Sequence, residues 1–244
     1  MHAPPTSRLP AAIALGIALA LGACASPPLS PAPPTELEIS SAARQRAAEL
    51  LALAGSIEPR LTTRLVALTD ELEVDLWSLE HRLKSRASLE RKLQTAALES
   101  GVGVERVVVD DALRYTVLIE DEPAGRYDRI AAEILRRLEG DGYPVLEVKN
   151  YWPPGDIYSG VNCVLAAAEG LRWELQFHTI GSVAAKSEGH DLYEEFRLPQ
   201  TRLDRKRRIY DRLLDRWSWV EIPAGVLEPG SLHTREEIIL RGRP

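Results

Sequence analysis

Residues 171–179, Leu-Arg-Trp-Glu-Leu-Gln-Phe-His-Thr, decide the reading of the fold. Successive side chains of a strand point to opposite faces. Here the alternation sets Trp173, Leu175 and Phe177 against Glu174, Gln176 and His178. A period of two with one apolar side predicts a strand half-buried against a core. The polar side has two readings at this point: the outer face of an edge strand, or the floor of a polar site. Just upstream, residues 161–168 form a second apolar run. Glu169-Gly170 between them is a short turn with a glycine free to take positive φ, so the two runs predict a hairpin.

Outward from this hairpin the period alternates between two and 3.6. Residues 114–120 predict a strand with Tyr115, Val117 and Ile119 on one face, and 145–149 another. Residues 104–109 read as a further short strand. Residues 127–138 predict a helix with Ile130, Ile134 and Leu138 aligned, stopped by Gly140-Asp-Gly142. Toward the N-terminus, 36–55 predict a helix capped at Ser40 or Ser41, and 59–80 continue as helix through Leu65, Leu68, Leu72, Leu76 and Leu79. A basic break follows at 82–88, then a helix capped by Ser88 and ended by Gly101 and Gly103. Residues 183–196 and 202–217 are helical, and the tail from 220 is irregular except for 236–240. The class is α+β (or α/β): a small mixed sheet flanked by helices, with an N-terminal helical extension at 36–76.

The first 23 residues are a secretory signal by pattern. Arg8 is the basic start and residues 9–21 are apolar, too short for the roughly 20 residues a spanning helix needs. Leu21-Gly22-Ala23-Cys24 closes the segment. Prolines crowd 25–34 and favour an extended tether over 24–35. Without residues 1–23 the chain holds 29 basic and 36 acidic residues, a charge of −7, which is not the footprint of a nucleic-acid surface. Residues 201–216 run against this trend, with Arg202, Arg205, Lys206, Arg207, Arg208, Arg212 and Arg216 beside three aspartates, and read as a solvated helix face. Cys163 lies in an apolar run and reads as a small core residue.

Polar residues recur in a fixed order along the middle of the chain. Arg82-x-Lys84-x-x-x-Ser88-x-x-x-Lys92 comes first, then Asp110-Asp111 leading into Arg114, then Tyr158-Ser-Gly160-Val-Asn162, then Glu174-x-Gln176-x-His178-Thr179, and last Lys186 and His190. In this order they resemble the motif series of the RelA/SpoT-like nucleotide pyrophosphokinase (alarmone synthetase) domain, over residues 77–197. Divergent members of that kind occur in secreted toxins and phage-linked proteins. The resemblance implies a nucleotidyltransferase-like fold, ATP and a purine nucleotide acceptor as partners, and Mg2+ as cofactor. It implies that Arg82, Lys84, Ser88 and Lys92 contact ATP. It also implies that Asp111 (or Asp110) and Glu174 hold the metal, and that Glu174 with Gln176 activates the acceptor hydroxyl. By the same resemblance Tyr158 stacks on the acceptor base, and Arg114, Asn162, Lys186 and His190 complete the nucleotide site. His178 occupies the place where the family commonly has arginine.

Cys24 after Leu-Gly-Ala resembles a bacterial lipobox. That implies a lipidated, envelope-facing protein, with Ala25 pointing to the outer membrane and its periplasmic side. Residues 198–244 then form a C-terminal helix and tail. The resemblance leaves two functional expectations: an anchored pyrophosphokinase, as an effector with an immunity or envelope partner, or a nucleotide-binding envelope module that has lost catalysis.

Overall fold

The computed structural model describes residues 37–198, 200–228, 230, 232, 235 and 236. The signal segment, Cys24, the tether and residues 237–240 lie outside the described residues.

Helix α1 (Ser41–Glu71) is one helix where the sequence predicted two. Ser40 caps it, accepting from the Ala43 amide at 3.2 Å. Pro59 removes one backbone donor from its interior. The helix continues because Ala54, Ile57, Leu61, Leu65 and Leu68 form an unbroken buried stripe. It stops at Glu71, short of the expected residue 80, since Glu73 turns to positive φ (54°). Asp75–Leu76 then forms strand β1.

Helix α2 (Arg86–Ser100) is capped by Ser85 rather than Ser88. Ser88 sits three residues on, and its amide donates to Ser85 Oγ. Gly101 ends the helix at φ 66°, a left-handed conformation a glycine takes without strain. The expected strand at 104–109 is a 3-10 turn, Val104–Arg106, followed by irregular chain. Val104, Val107 and Val109 bury against helices, so this apolar run is a loop pinned to a core, not a sheet strand.

The remaining elements follow the predicted periods, except β6, which lies in the tail read as irregular apart from 236–240. They are β2 (Arg114–Leu118), α3 (Arg126–Gly140), β3 (Val145–Asn150), β4 (Val161–Ala166), β5 (Arg172–His178), α4 (Ile180–Arg197), α5 (Leu203–Trp217) and β6 (Arg235–Glu236). The six strands form one sheet in the order β1-β2-β5-β4-β3-β6. Every neighbouring pair is antiparallel except β2 and β5, which run parallel with Arg114 beside Glu174 and Thr116 beside Gln176. Strand β5 is therefore interior, and the edge-strand alternative for residues 171–179 falls.

The sheet's apolar face carries Tyr115, Val117, Val161, Cys163, Leu165, Trp173, Leu175 and Phe177. It packs on Ile130, Ile134 and Leu138 of α3 and on the C-terminal half of α1, in one core. That half of α1 thus shares the sheet's core. Its N-terminal half holds α2 in a second core of Ala43, Ala47, Leu50, Leu89 and Leu93. The opposite face of the sheet bears Arg114, Asn162, Glu174, Gln176 and His178. Helix α4 meets this face, and α5 packs on α4. Among the described residues no helix is long and apolar enough to cross a membrane.

Candidate active site

Glu174 lies at the centre of the polar face, on an interior strand between β2 and β4. Burial pushes its carboxyl above the usual range. The Arg114 guanidinium opposes that rise, and the negative charge of Asp111 adds to it. Gln176, two residues along the same face, donates from Nε2 to Glu174 Oε2 at 3.0 Å. Its own Oε1 accepts from Lys186 Nζ of α4, also at 3.0 Å. The amide thus bridges an ammonium to a carboxylate and fixes the rotamers of all three. Desolvation lowers Lys186 to about 8, with Arg114 lowering it further and Glu174 working against both. Arg114 makes no side-chain hydrogen bond or ion pair among the described residues, although its field reaches Glu174, His178 and Lys186. A partly buried guanidinium with open donors is a ready anion contact.

Asp111 stands at the entry to β2. Its Oδ2 accepts from Lys84 Nζ at 2.8 Å and its Oδ1 from Lys92 Nζ at 2.7 Å. Burial alone would raise its carboxyl, but the two ammonium groups outweigh burial and hold it below the usual value. The second core makes this arrangement possible, because Leu89 and Leu93 dock α2 and so bring Lys92 over the 110–111 turn. Asp110 turns the other way and pairs with Arg172. Of the two candidate aspartates, Asp111 is the one whose charge reaches Glu174.

A buried polar chain forms one wall of the site. Tyr158 donates its hydroxyl proton to Asn162 Oδ1 at 2.8 Å and lies 3.0 Å from His178 Nε2. His178 Nδ1 lies 2.9 Å from Ser182 Oγ in the first turn of α4. His178 is fully buried, and burial, reinforced by Lys186 and Arg114, lowers it to about 3. It is a neutral imidazole with no open face, so it does not replace an arginine as a phosphate contact. Tyr158 is half-buried. The Lys186 ammonium lies 5.7 Å from its ring centroid, Tyr151 and His178 meet it edge-on, and Trp217 of α5 tilts against it. These contacts set the orientation of the ring.

Arg114, Asp111, Lys84, Lys92, Asn162, Glu174, Gln176, His178, Tyr158 and Lys186 are therefore linked by direct contact or by each other's field. Arg82 is not brought in: its guanidinium bonds Glu58 of α1 and the Leu79 carbonyl. Ser88 is a half-buried partner of Ser85 in the α2 cap. His190 is exposed one turn beyond Lys186 on α4. The basic run of α5 is largely occupied with acids, as a solvated face would be: Arg205 grips Glu195 with two bonds of 2.7 Å, and Arg208 reaches Asp204. Sequence reasoning passed over Ser182 and Trp217. The signal for the first was Thr179-x-x-Ser182, a reciprocal cap after a strand. For the second it was the Ile209, Leu213, Trp217 stripe of an amphipathic helix.

No protein-family model and no curated protein matches the chain. Solved structures do. The fold is similar to that of small alarmone synthetase 1 from Bacillus subtilis, with a TM-score of 0.52 at 14% identity over 71% of this chain and 91% of that one. The same enzyme bound to its product pppGpp aligns with a TM-score of 0.48 at 15% identity, over 71% and 95% of the two chains. The Type VI effector Tas1, in complex with its immunity protein, aligns at 0.49 and 17% identity over the same shares. The chain thus shares the α+β fold of small alarmone synthetase 1.

Proposed function

We propose that this protein transfers pyrophosphate from ATP to the 3′-hydroxyl of a purine nucleotide, and that it does so while anchored to a membrane through lipidated Cys24. One observation carries the catalytic part. A half-buried carboxylate whose proton affinity is raised, Glu174, shares one face of the sheet with Arg114, a guanidinium without a side-chain partner among the described residues, and the half-buried Lys186 ammonium of α4 lies against that face. The fold supports it.

Phosphoryl-type transfer asks a protein for charge neutralisation, alignment and a base. Arg114, Lys84, Lys92 and Lys186 supply the cations. Glu174 supplies the base, and its raised affinity brings it nearer the working pH of a proton acceptor. In the step itself the acceptor O3′ bonds to the β-phosphorus, the bond from that phosphorus to the α–β bridging oxygen breaks, and AMP leaves. The hydroxyl proton passes to the Glu174 carboxylate. Gln176 keeps that carboxylate from rotating. Asp111 and Glu174 are the oxygen donors for Mg2+, which takes one or two carboxylates and fills its remaining positions from phosphate and water; to hold it, Asp111 would give up Lys84 or Lys92, which would then turn to phosphate. Bound there, Mg2+ would neutralise phosphate charge.

The test is incubation of the purified protein with Mg2+, labelled ATP and each of GDP, GTP, ADP and AMP, beside Glu174→Gln. A pyrophosphorylated product absent from the variant supports the reading and names the acceptor. Nucleotide binding without product would make the protein a binding module instead.

A further inference from the structure

Six side chains form a continuous path from the start of α4 to Glu174. Ser182 Oγ lies 2.9 Å from His178 Nδ1, and His178 Nε2 lies 3.0 Å from the Tyr158 hydroxyl. The Tyr158 ring lies under the Lys186 ammonium, which donates to Gln176, which donates to Glu174. Both neighbours are anchored in turn: the Tyr158 hydroxyl donates to Asn162 Oδ1 at 2.8 Å, and the Ser182 hydroxyl donates to the Thr179 carbonyl at 3.1 Å while its oxygen accepts the Thr179 amide at 3.0 Å. Every polar atom of the imidazole is used, as a buried polar group requires.

The imidazole is also fixed sterically. A Cβ added at Gly160 would come within 2.8 Å of His178 Cε1. The 151–160 loop, which carries Tyr158, therefore rests directly on the histidine ring. Only a residue without a side chain at 160 permits that approach.

We infer that His178 is a positioning residue: its bond to Tyr158 holds the loop aromatic under Lys186, and so holds the Lys186–Gln176 arm that orients Glu174. The inference deepens the pyrophosphokinase reading and rests on it for the role of Glu174. The chain of contacts itself does not. Without His178, Tyr158 keeps Asn162, Tyr151 and Trp217 but loses the contact on the side of β5, and the ring under Lys186 is less firmly held.

Two measurements on the full-length protein test this. The first is steady-state transfer by His178→Ala and His178→Gln. Glutamine can still donate to Tyr158 from its amide, whereas alanine cannot. His178→Ala is expected to lower kcat by about tenfold to a hundredfold, the scale of a small misplacement of reacting groups, with KM for ATP nearly unchanged. His178→Gln is expected to recover most of that loss. A rise in KM with kcat intact would overturn the inference, since it would make His178 a ligand contact. The second measurement needs no activity: the rate of amine acylation at Lys186, read by mass spectrometry against Lys92 in the same sample. His178→Ala is expected to speed Lys186 labelling several-fold, and His178→Gln to restore protection. Equal labelling in all three proteins would overturn the inference. If wild-type protein forms no product, the pyrophosphokinase reading fails, and the labelling experiment still decides the positioning role.

Discussion

At the residue scale, Glu174 holds a proton more tightly in the folded chain than in the unfolded one. Such a group works against folding increasingly as pH rises above its unfolded value of about 4.3. Glu174→Gln removes that cost while keeping shape and a hydrogen-bonding amide. The variant is therefore expected to lose product formation yet to melt at pH 8 no lower than wild type, by calorimetry. A lower melting temperature would mean that Glu174 is a structural ion-pair partner. Lys186 has the opposite bias. Its value of about 8 lies below an ordinary lysine, so it loses its charge from pH 8 upward. If that charge neutralises phosphate, activity falls through pH 8. Lys186→Arg, charged throughout this range, should move the alkaline limb of the kcat/KM profile upward by at least a unit. An unmoved limb would assign it to another group.

At the element scale, α2 acts as a bracket that sets Lys92 over Asp111. Leu93 is fully buried in its packing against α1. Leu93→Ala should cost about 2–5 kcal/mol in urea unfolding and weaken ATP binding as α2 loosens. Asp111→Asn should cost about 1–3 kcal/mol at pH 7, the value of hydrogen bonds to charged groups. Since the folded carboxyl lies below its unfolded value, that stabilisation is present above about pH 4 and vanishes as pH falls through the folded value. The difference between variant and wild type should therefore shrink toward pH 3. These elements were legible in the sequence to different degrees. Residues 114–119, 127–138 and 172–178 declared themselves because one face of each is buried along its whole length. The 104–109 run did not, because three buried valines pinned to two helices carry no fixed period. Ser85 and Ser88 are identical side chains three apart, so type alone could not say which caps the helix. The polar order from Lys84 to Lys186 pointed to the site. The ion pair of Arg82 was not legible, since its partner, Glu58, lies on a helix distant in sequence. Nor was the burial of His178, because a glycine loop and a helix start close over it only in the fold.

At the scale of the whole molecule, the proposed anchor and the candidate site belong to different parts of the chain. The lipobox reading places Cys24 at the mature start, followed by a proline-rich spacer and then α1. Cys24→Ser is expected to shift the protein from the membrane fraction to the soluble fraction, with pyrophosphate transfer unchanged. Retention in the membrane fraction would point to a surface contact of the folded part instead. The site itself depends on long-range closure: Arg114 and Glu174 become neighbours only where β2 and β5 run side by side.

That closure has a temporal side. Strand β5 lies between β2 and β4, both of which precede it in the chain. A nascent chain that ends before residue 172 has two open strand edges facing one empty slot, and no arrangement of what has been made can fill it. Glu174 and Gln176 arrive on the same strand that closes the gap. Lys186 and Ser182 follow on α4, and β6 adds the outer edge last, so the site and the sheet are both completed late in synthesis. Any system that must move the chain across a bilayer before it folds would meet it before either is complete.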